Sequence, residues 1–220
     1  MIAQTQVRKT MIHALPGMGA DKRMFPPPWT ELPGFAAHDW MCHTGETTLA
    51  EVAHSMCAAC DIRDGDTIIG ASLGGMVACE ITKIRKIQAL YLIGSATNKD
   101  EVSAVLTALR PMARIAPIDW LRYVAGKIPR EAAQMFSGAE TSFVRAMCKA
   151  IFQWEGLDAA KTPTRVFRIH GKHDHIIPPP PCADLLLDGG HLISITHAPQ
   201  CVEFIKTNSA STDSASAQLT

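Results

Sequence analysis

Charge of a dominant sign is missing from this chain. Lys and Arg number 21, Asp and Glu number 21, and the formal net charge is zero. Without a basic surplus to neutralise phosphates, nucleic acid is not expected as a partner, nor is an anionic membrane surface. Long apolar runs are missing as well. Nothing in the sequence approaches the ~20 apolar residues of a membrane helix, so no membrane association is expected. The first residues, Met1-Ile2-Ala3-Gln4-Thr5-Gln6, lack a basic region followed by an apolar one, so no secretory leader is expected. Seven cysteines without an export signal then read as reduced thiols in the cytoplasm. Cys57-Ala58-Ala59-Cys60 has the spacing of a redox or metal pair. It falls inside a predicted helix and has no second pair, so helix packing is the better reading. Internal repeats are also absent.

What is present begins with Gly70-Ala71-Ser72-Leu73-Gly74. An apolar run, Thr67-Ile68-Ile69, precedes it, and an amphipathic segment from Met76 to Ile84 follows. Strand, G-x-S-x-G and helix is the context of a nucleophile elbow. A serine hydroxyl is a weak nucleophile unless it is held exposed beside a base. A sharp strand-to-helix turn exposes it, and Gly70 and Gly74 supply the room such a turn needs. The new helix points free N–H groups at the place where negative charge develops. The bland alternative is a Gly/Ser turn without chemistry, so the rest of the triad has to be sought downstream in the order Ser, Asp, His. Thr164 to Ile169 reads as a strand and runs into His170-Gly171-Lys172-His173-Asp174. Asp184 to Leu187 reads as another and ends in Asp188-Gly189-Gly190-His191. Asp174 and His191 thus each follow the C-terminal end of a predicted strand, the edge where parallel sheets build sites.

Strand and helix patterns alternate along the 220 residues, a length that suits one domain with a sizeable core. The predicted strands are Lys9–Ala14, Phe35–Cys42, Thr67–Gly70, Gln88–Gly94, Thr164–Ile169 and Asp184–Leu187. Thr48-Leu49-Ala50-Glu51 reads as a capping box opening a helix whose apolar positions are Leu49, Val52, Ala53, Met56, Ala59 and Cys60. A helix over Gln200–Lys206 closes the chain, and Asn208–Thr220, rich in Ser, Ala and Thr, reads as a disordered tail. The fold class is therefore α/β: a mostly parallel sheet of about six strands with helices on both faces.

Four segments in order resemble the α/β-hydrolase family: Leu15-Pro16-Gly17-Met18-Gly19, Gly70 to Gly74, His170-Gly171-Lys172-His173-Asp174, and Gly189-Gly190-His191. The likeness spans roughly Lys9 to Lys206. It implies an oxyanion loop at Leu15–Gly19, the elbow at Ser72, the acid at Asp174 and the base at His191. It implies further that the backbone N–H groups of Met18 and Leu73 form the oxyanion hole. Two departures stand out. The family often has His-Gly where Pro16-Gly17 stands, and the chain begins almost directly at the first strand, so a minimal sheet is expected. Residues 97–157 interrupt the alternation with Pro111, Pro117, Gly126, Pro129 and Gly138. By resemblance they form a helical cap after the fourth strand, inserted into a core made of residues 1–96 and 158–207. Its apolar residues include Met112, Ile115, Trp120, Leu121, Tyr123, Met135, Phe136, Phe143, Met147, Phe152 and Trp154.

Several residues compete for these roles. His197 lies beside Ala198-Pro199 at a predicted helix start, which suits capping better than catalysis. Asp100 would serve if the acid followed the fourth strand, yet Gly94 to Lys99 carries no carboxylate at the strand end, and Asp174 follows the better-marked strand. Asp188 is a further candidate acid. His170, His173 and His175 surround Asp174 and could suggest zinc, but residues so close along one turn converge poorly on one ion. The four prolines Pro178–Pro181 and the run Pro26-Pro27-Pro28-Trp29 read as stiff connectors. The expected activity is a serine hydrolase of small carboxylic esters, thioesters or lactones, needing no cofactor and no metal. The alternatives are a lyase or acyltransferase using the same three residues, and a catalytically silent ligand-binding protein.

Overall fold

The computed structural model describes residues 8–102 and 134–216, with side chains up to residue 209. Six strands form one sheet: β1 Ile12–Leu15, β2 Phe35–Ala37, β3 Thr67–Ala71, β4 Ala89–Ile93, β5 Arg165–Gly171 and β6 Leu185–Leu187. Their order is β2-β1-β3-β4-β5-β6, and every pairing is parallel. β3 and β4 lie at the centre, and every one of their residues is buried. A strand covered on both faces needs no polar alternation, which is why Thr67–Ala71 and Ala89–Ile93 read as continuous apolar runs.

Side-chain direction splits the core in two. Ile68, Leu90 and Leu92 point to one face, where they meet α1 (Leu49–Ala59), α2 (Leu73–Ile84) and α3 (Thr141–Gln153). Ile69, Tyr91, Ile93 and Ile169 point to the other, against Trp29 and the helix α5 (Ala198–Ser216), which supplies Val202 and Ile205. A short helical turn, α4 (Ile193–Thr196), precedes α5 on that face. The N-terminus of α1 carries the predicted capping box. Thr48 Oγ1 accepts the Glu51 N–H at 3.2 Å, and Glu51 Oε2 accepts the Thr48 N–H at 3.0 Å.

Element boundaries differ from the sequence reading in places with physical causes. β1 begins at Ile12 rather than Lys9 because the preceding backbone is claimed by the Asp66 carboxylate, which takes the Met11 N–H at 3.0 Å. β2 ends at Ala37 rather than Cys42. It is an edge strand, and after the His38 N–H reaches the Ala14 carbonyl the chain turns so that Trp40 Nε1 donates to the Gly17 carbonyl at 2.9 Å. α5 runs from Ala198 to Ser216, well past the expected Lys206 and into the segment expected to be disordered. No Gly or Pro follows Lys206 to stop a helix. Of residues 97–157, positions 103–133 lie outside the described residues. They include Pro111, Met112, Ile115, Pro117, Trp120, Leu121, Tyr123, Gly126 and Pro129. The described part of that stretch holds α3, whose Phe143, Val144, Met147, Ala150 and Ile151 are buried in one cluster with the apolar faces of α1 and α2. Trp154 Nε1 also donates to Glu80 Oε1 of α2 at 2.6 Å.

Candidate active site

Ser72 sits in the turn between β3 and α2 with φ 51° and ψ −119°. A side-chain-bearing residue takes a positive φ only where its surroundings impose it, and such residues collect at functional turns. Here the surroundings are backbone. The Ser72 N–H is held by the Ile93 carbonyl of β4 at 3.0 Å, and the Ser72 carbonyl accepts from Gly75 N–H at 3.0 Å. The turn rests directly on the loop after β1. A Cβ added to Gly74 would come within 2.3 Å of the Leu15 carbonyl oxygen and 2.5 Å of that of Pro16, so only glycine allows this contact. Glycine at position 17 leaves the same loop running past Ser72, since a Cβ there would lie 3.5 Å from Ser72 Cβ. Met18 is the next residue in that loop, and Leu73 is the first residue of α2. Among the described residues neither of their backbone amides donates to a protein acceptor.

The loops after β5 and β6 meet through bare backbone. A Cβ on Gly171 would lie 2.3 Å from the carbonyl oxygens of Gly189 and Gly190, and the His173 N–H donates to the Gly189 carbonyl at 2.9 Å. That contact brings Asp174 to His191. Asp174 is buried, and its Oδ2 lies 2.7 Å from His191 Nδ1. Its other oxygen accepts the N–H groups of Ile176 at 2.9 Å and Ile177 at 3.0 Å. His191 Nε2 in turn lies 3.0 Å from Ser72 Oγ. Burial alone would raise the Asp174 pKa; the charge and hydrogen bond of His191 and the two amides outweigh it and hold the group below its ordinary value. An ionised carboxylate only accepts, so Nδ1 of His191 carries the proton and Nε2 is left to accept from the Ser72 hydroxyl.

The competing residues are elsewhere. His197 ends α4 and pairs its Nδ1 with the neighbouring Thr196 hydroxyl at 2.8 Å. Asp100 is exposed on a turn after β4, where its N–H bonds to Asn98 Oδ1. Asp188 is exposed and pairs with His173 at 3.0 Å. His170 is fully buried in β5, while His173 and His175 are exposed, so the three do not converge. Among the described residues no group of three or more His, Cys, Asp or Glu is arranged to hold a metal ion. Burial pushes the thiols of Cys57, Cys60, Cys79, Cys148 and Cys201 up, those of Cys60 and Cys148 to about 11, so these five stay protonated at neutral pH.

The sequence did not single out a polar cluster just behind the elbow. Ser95 Oγ donates to the Ser72 carbonyl at 2.7 Å. Arg168 of β5, buried, binds both oxygens of Glu101 at 2.9 and 2.6 Å and reaches the Ser95 carbonyl at 3.4 Å. The one available signal was position: Ser95 follows β4, and Ala71 of the elbow strand pairs with Ile93 of β4.

A model of the alpha/beta hydrolase family matches residues 11–204. The chain belongs to this family. Among solved structures, the fold is similar to three proteins that it covers almost end to end. One is the enol-lactonase of Burkholderia xenovorans, with a TM-score of 0.74 and 17% identity over 93% of this chain and 92% of that one. Another comes from a study of carboxylesterases of the thaumarchaeon Nitrososphaera gargenis, with 0.73 and 16% over 94% and 92%. A third is a thermophilic esterase of Thermogutta terrifontis, with 0.66 and 17% over 93% and 90%. At these identities the likeness is one of fold, which in this family accommodates many reactions. No curated protein matches the chain.

Proposed function

We propose that this family member is a serine hydrolase that cleaves small carboxylic esters, with thioesters and lactones as chemically close substrates. The observation that carries the reading is the unbroken relay from Ser72 Oγ to His191 Nε2 at 3.0 Å and from His191 Nδ1 to Asp174 Oδ2 at 2.7 Å. In this reading Ser72 is the nucleophile. Its proton passes to His191 Nε2 as Oγ bonds to the acyl carbon. The former carbonyl oxygen becomes an oxyanion held by the N–H groups of Met18 and Leu73, which have no protein acceptor among the described residues. Collapse breaks the bond to the alcohol oxygen, which leaves with the proton from His191. Water then attacks the acyl-enzyme by the same route and releases the acid. Asp174 fixes the His191 tautomer and stabilises its charged form. No step calls for a metal or cofactor. Residues 97–157 would cap the site and exclude water from it. The seven unpaired cysteines support a reducing compartment such as the cytoplasm.

The test is covalent. A fluorophosphonate probe should label the wild-type protein at Ser72, and Ser72→Ala should lose both the label and the turnover of nitrophenyl esters. A correctly folded Ser72→Ala protein with near-normal turnover would overturn the triad. A series of nitrophenyl esters of rising chain length then sizes the acyl site.

A further inference from the structure

The Ser72–Leu73 peptide unit has two ends. Its carbonyl oxygen is that of Ser72 and its N–H is that of Leu73, and in a planar trans peptide the two point in opposite directions. Whatever fixes the oxygen therefore aims the N–H. The oxygen receives three donors: the Gly75 N–H at 3.0 Å, the Met76 N–H at 3.4 Å and the Ser95 hydroxyl at 2.7 Å. The Ser95 contact is the shortest, and a carbonyl only accepts, so the hydroxyl is the donor. Ser95 is fully buried, and its Oγ is packed so tightly against the first turn of α2 that a Cβ on Gly75 would lie 2.3 Å from it.

Ser95 is itself anchored. Arg168 Nη2 reaches its carbonyl at 3.4 Å, and the same guanidinium is gripped by both oxygens of Glu101. Glu101 also takes the Thr97 N–H at 2.8 Å and the Thr97 hydroxyl at 3.0 Å. Burial would raise the Glu101 pKa, but Arg168 and Thr97 together hold it below its usual value, so the clamp is ionic. Among the described residues the Ser95 hydroxyl has one hydrogen-bond acceptor, the Ser72 carbonyl.

We infer that Ser95 is a positioning residue for the oxyanion hole, acting through the Ser72–Leu73 peptide. A hydrogen bond to the carbonyl polarises the amide and makes its N–H a stronger donor, and it also stops the peptide from tilting away from the developing oxyanion. Ser95 touches no reacting atom. The inference rests on Ser72 as nucleophile and Leu73 as oxyanion donor, but part of its test does not depend on activity.

Three measurements on Ser95→Ala carry that test, with Ser95→Cys as a weaker-donor variant of somewhat larger side chain. First, kcat for a nitrophenyl ester should fall about 3- to 10-fold with KM nearly unchanged, the effect of one neutral hydrogen bond felt in the transition state. Second, affinity for a trifluoromethyl ketone, whose serine adduct carries an oxyanion, should fall by the same factor. Third, the Leu73 amide proton should move upfield in the nitrogen–proton spectrum. Ser95→Cys should fall between wild type and Ser95→Ala in all three. An unmoved Leu73 resonance overturns the inference whether or not the protein is an esterase. So does an unchanged kcat, a loss confined to KM, or a loss that merely tracks a lowered melting temperature. Retained turnover in Ser72→Ala, by contrast, sinks the triad and leaves the Leu73 shift to decide the bracing role alone.

Discussion

His191 and His197 are close in sequence and chemically unlike. His191 has one nitrogen on a buried carboxylate at 2.7 Å and the other on a serine at 3.0 Å. Among the described residues the His197 ring bonds only to its neighbour Thr196. The first arrangement suits the base of the proposed triad, and the second ends a helical turn. The expected kinetics follow. His191→Ala should be as inactive as Ser72→Ala, and the double variant no worse, because nucleophile and base act as a unit. Asp174→Asn should lose about three to four orders of magnitude in kcat, since the amide would leave the imidazole in the wrong tautomer. His197→Ala and Asp100→Asn should stay within a few-fold of wild type. A crippled Asp100→Asn enzyme beside a healthy Asp174→Asn would move the acid to the end of β4.

The elbow works because two elements touch without side chains between them. At Gly74 two effects oppose. In a helix, alanine is favoured over glycine by about 1 kcal/mol. Here its Cβ would meet the Leu15 carbonyl oxygen at 2.3 Å, and both partners are backbone with no rotamer to yield. Overpacking of this kind costs about 1–3 kcal/mol, so the clash wins and Gly74→Ala should lower the urea midpoint. Turnover per folded molecule should fall as well, because the displaced loop carries Met18. Equal stability of variant and wild type would mean that α2 does not rest on that loop as described. This contact was legible in the sequence as two glycines around a serine, because the demand for space leaves no other residue type. The central strands β3 and β4 were legible for a related reason: parallel strands buried on both faces read as continuous apolar runs. The Asp174 and His191 positions showed through their place after strands β5 and β6. What stayed hidden was polar and buried. Arg168 and His170 stand in β5 among apolar neighbours, and no periodicity marks an ion pair whose partner, Glu101, arrives from another element. Ser95 is one small residue after a strand, and only the third dimension shows that it faces the Ser72 carbonyl. The end of β2 is set by tertiary bonds that no local pattern records, whereas the length of α5 follows from a missing stop signal after Lys206 that the sequence does carry.

On the scale of the whole molecule, the protein folds around histidines that it keeps neutral. His13 of β1 is buried between Asp66, 3.2 Å from its Nε2, and His38, 2.9 Å from its Nδ1. Burial lowers the His13 pKa despite the Asp66 charge, and burial followed by the proximity of His13 takes His38 to about 4. His170 is fully buried in β5, and among the described residues neither of its ring nitrogens has a partner. Burial first and the Arg168 charge second bring it to about 4, against the opposing pull of Asp174 and Glu101. For each group the folded pKa lies below the unfolded value of about 6.5. The unfolded chain therefore binds more protons once the pH drops under that value. The stability these histidines confer is complete above about pH 6.5 and is lost progressively towards pH 4, where the folded state would take up the same protons. Asp66, Glu101 and Asp174, all held below their ordinary values, add a second loss at still lower pH as they protonate. Urea unfolding should show this as a midpoint that is flat from pH 8 to 7 and falls steadily from 6.5 to 5, each fully coupled histidine contributing up to about 1.4 kcal/mol per pH unit. His170→Phe separates one contribution. It replaces an imidazole with unpaired nitrogens by an apolar ring of similar shape, so it should cost little at pH 8. At pH 5 it should stabilise relative to wild type, because its unfolded state no longer gains that proton. A parallel loss in both proteins across this range would show that His170 takes up protons alike in the folded and unfolded chain, with Asp174 and Glu101 offsetting its burial.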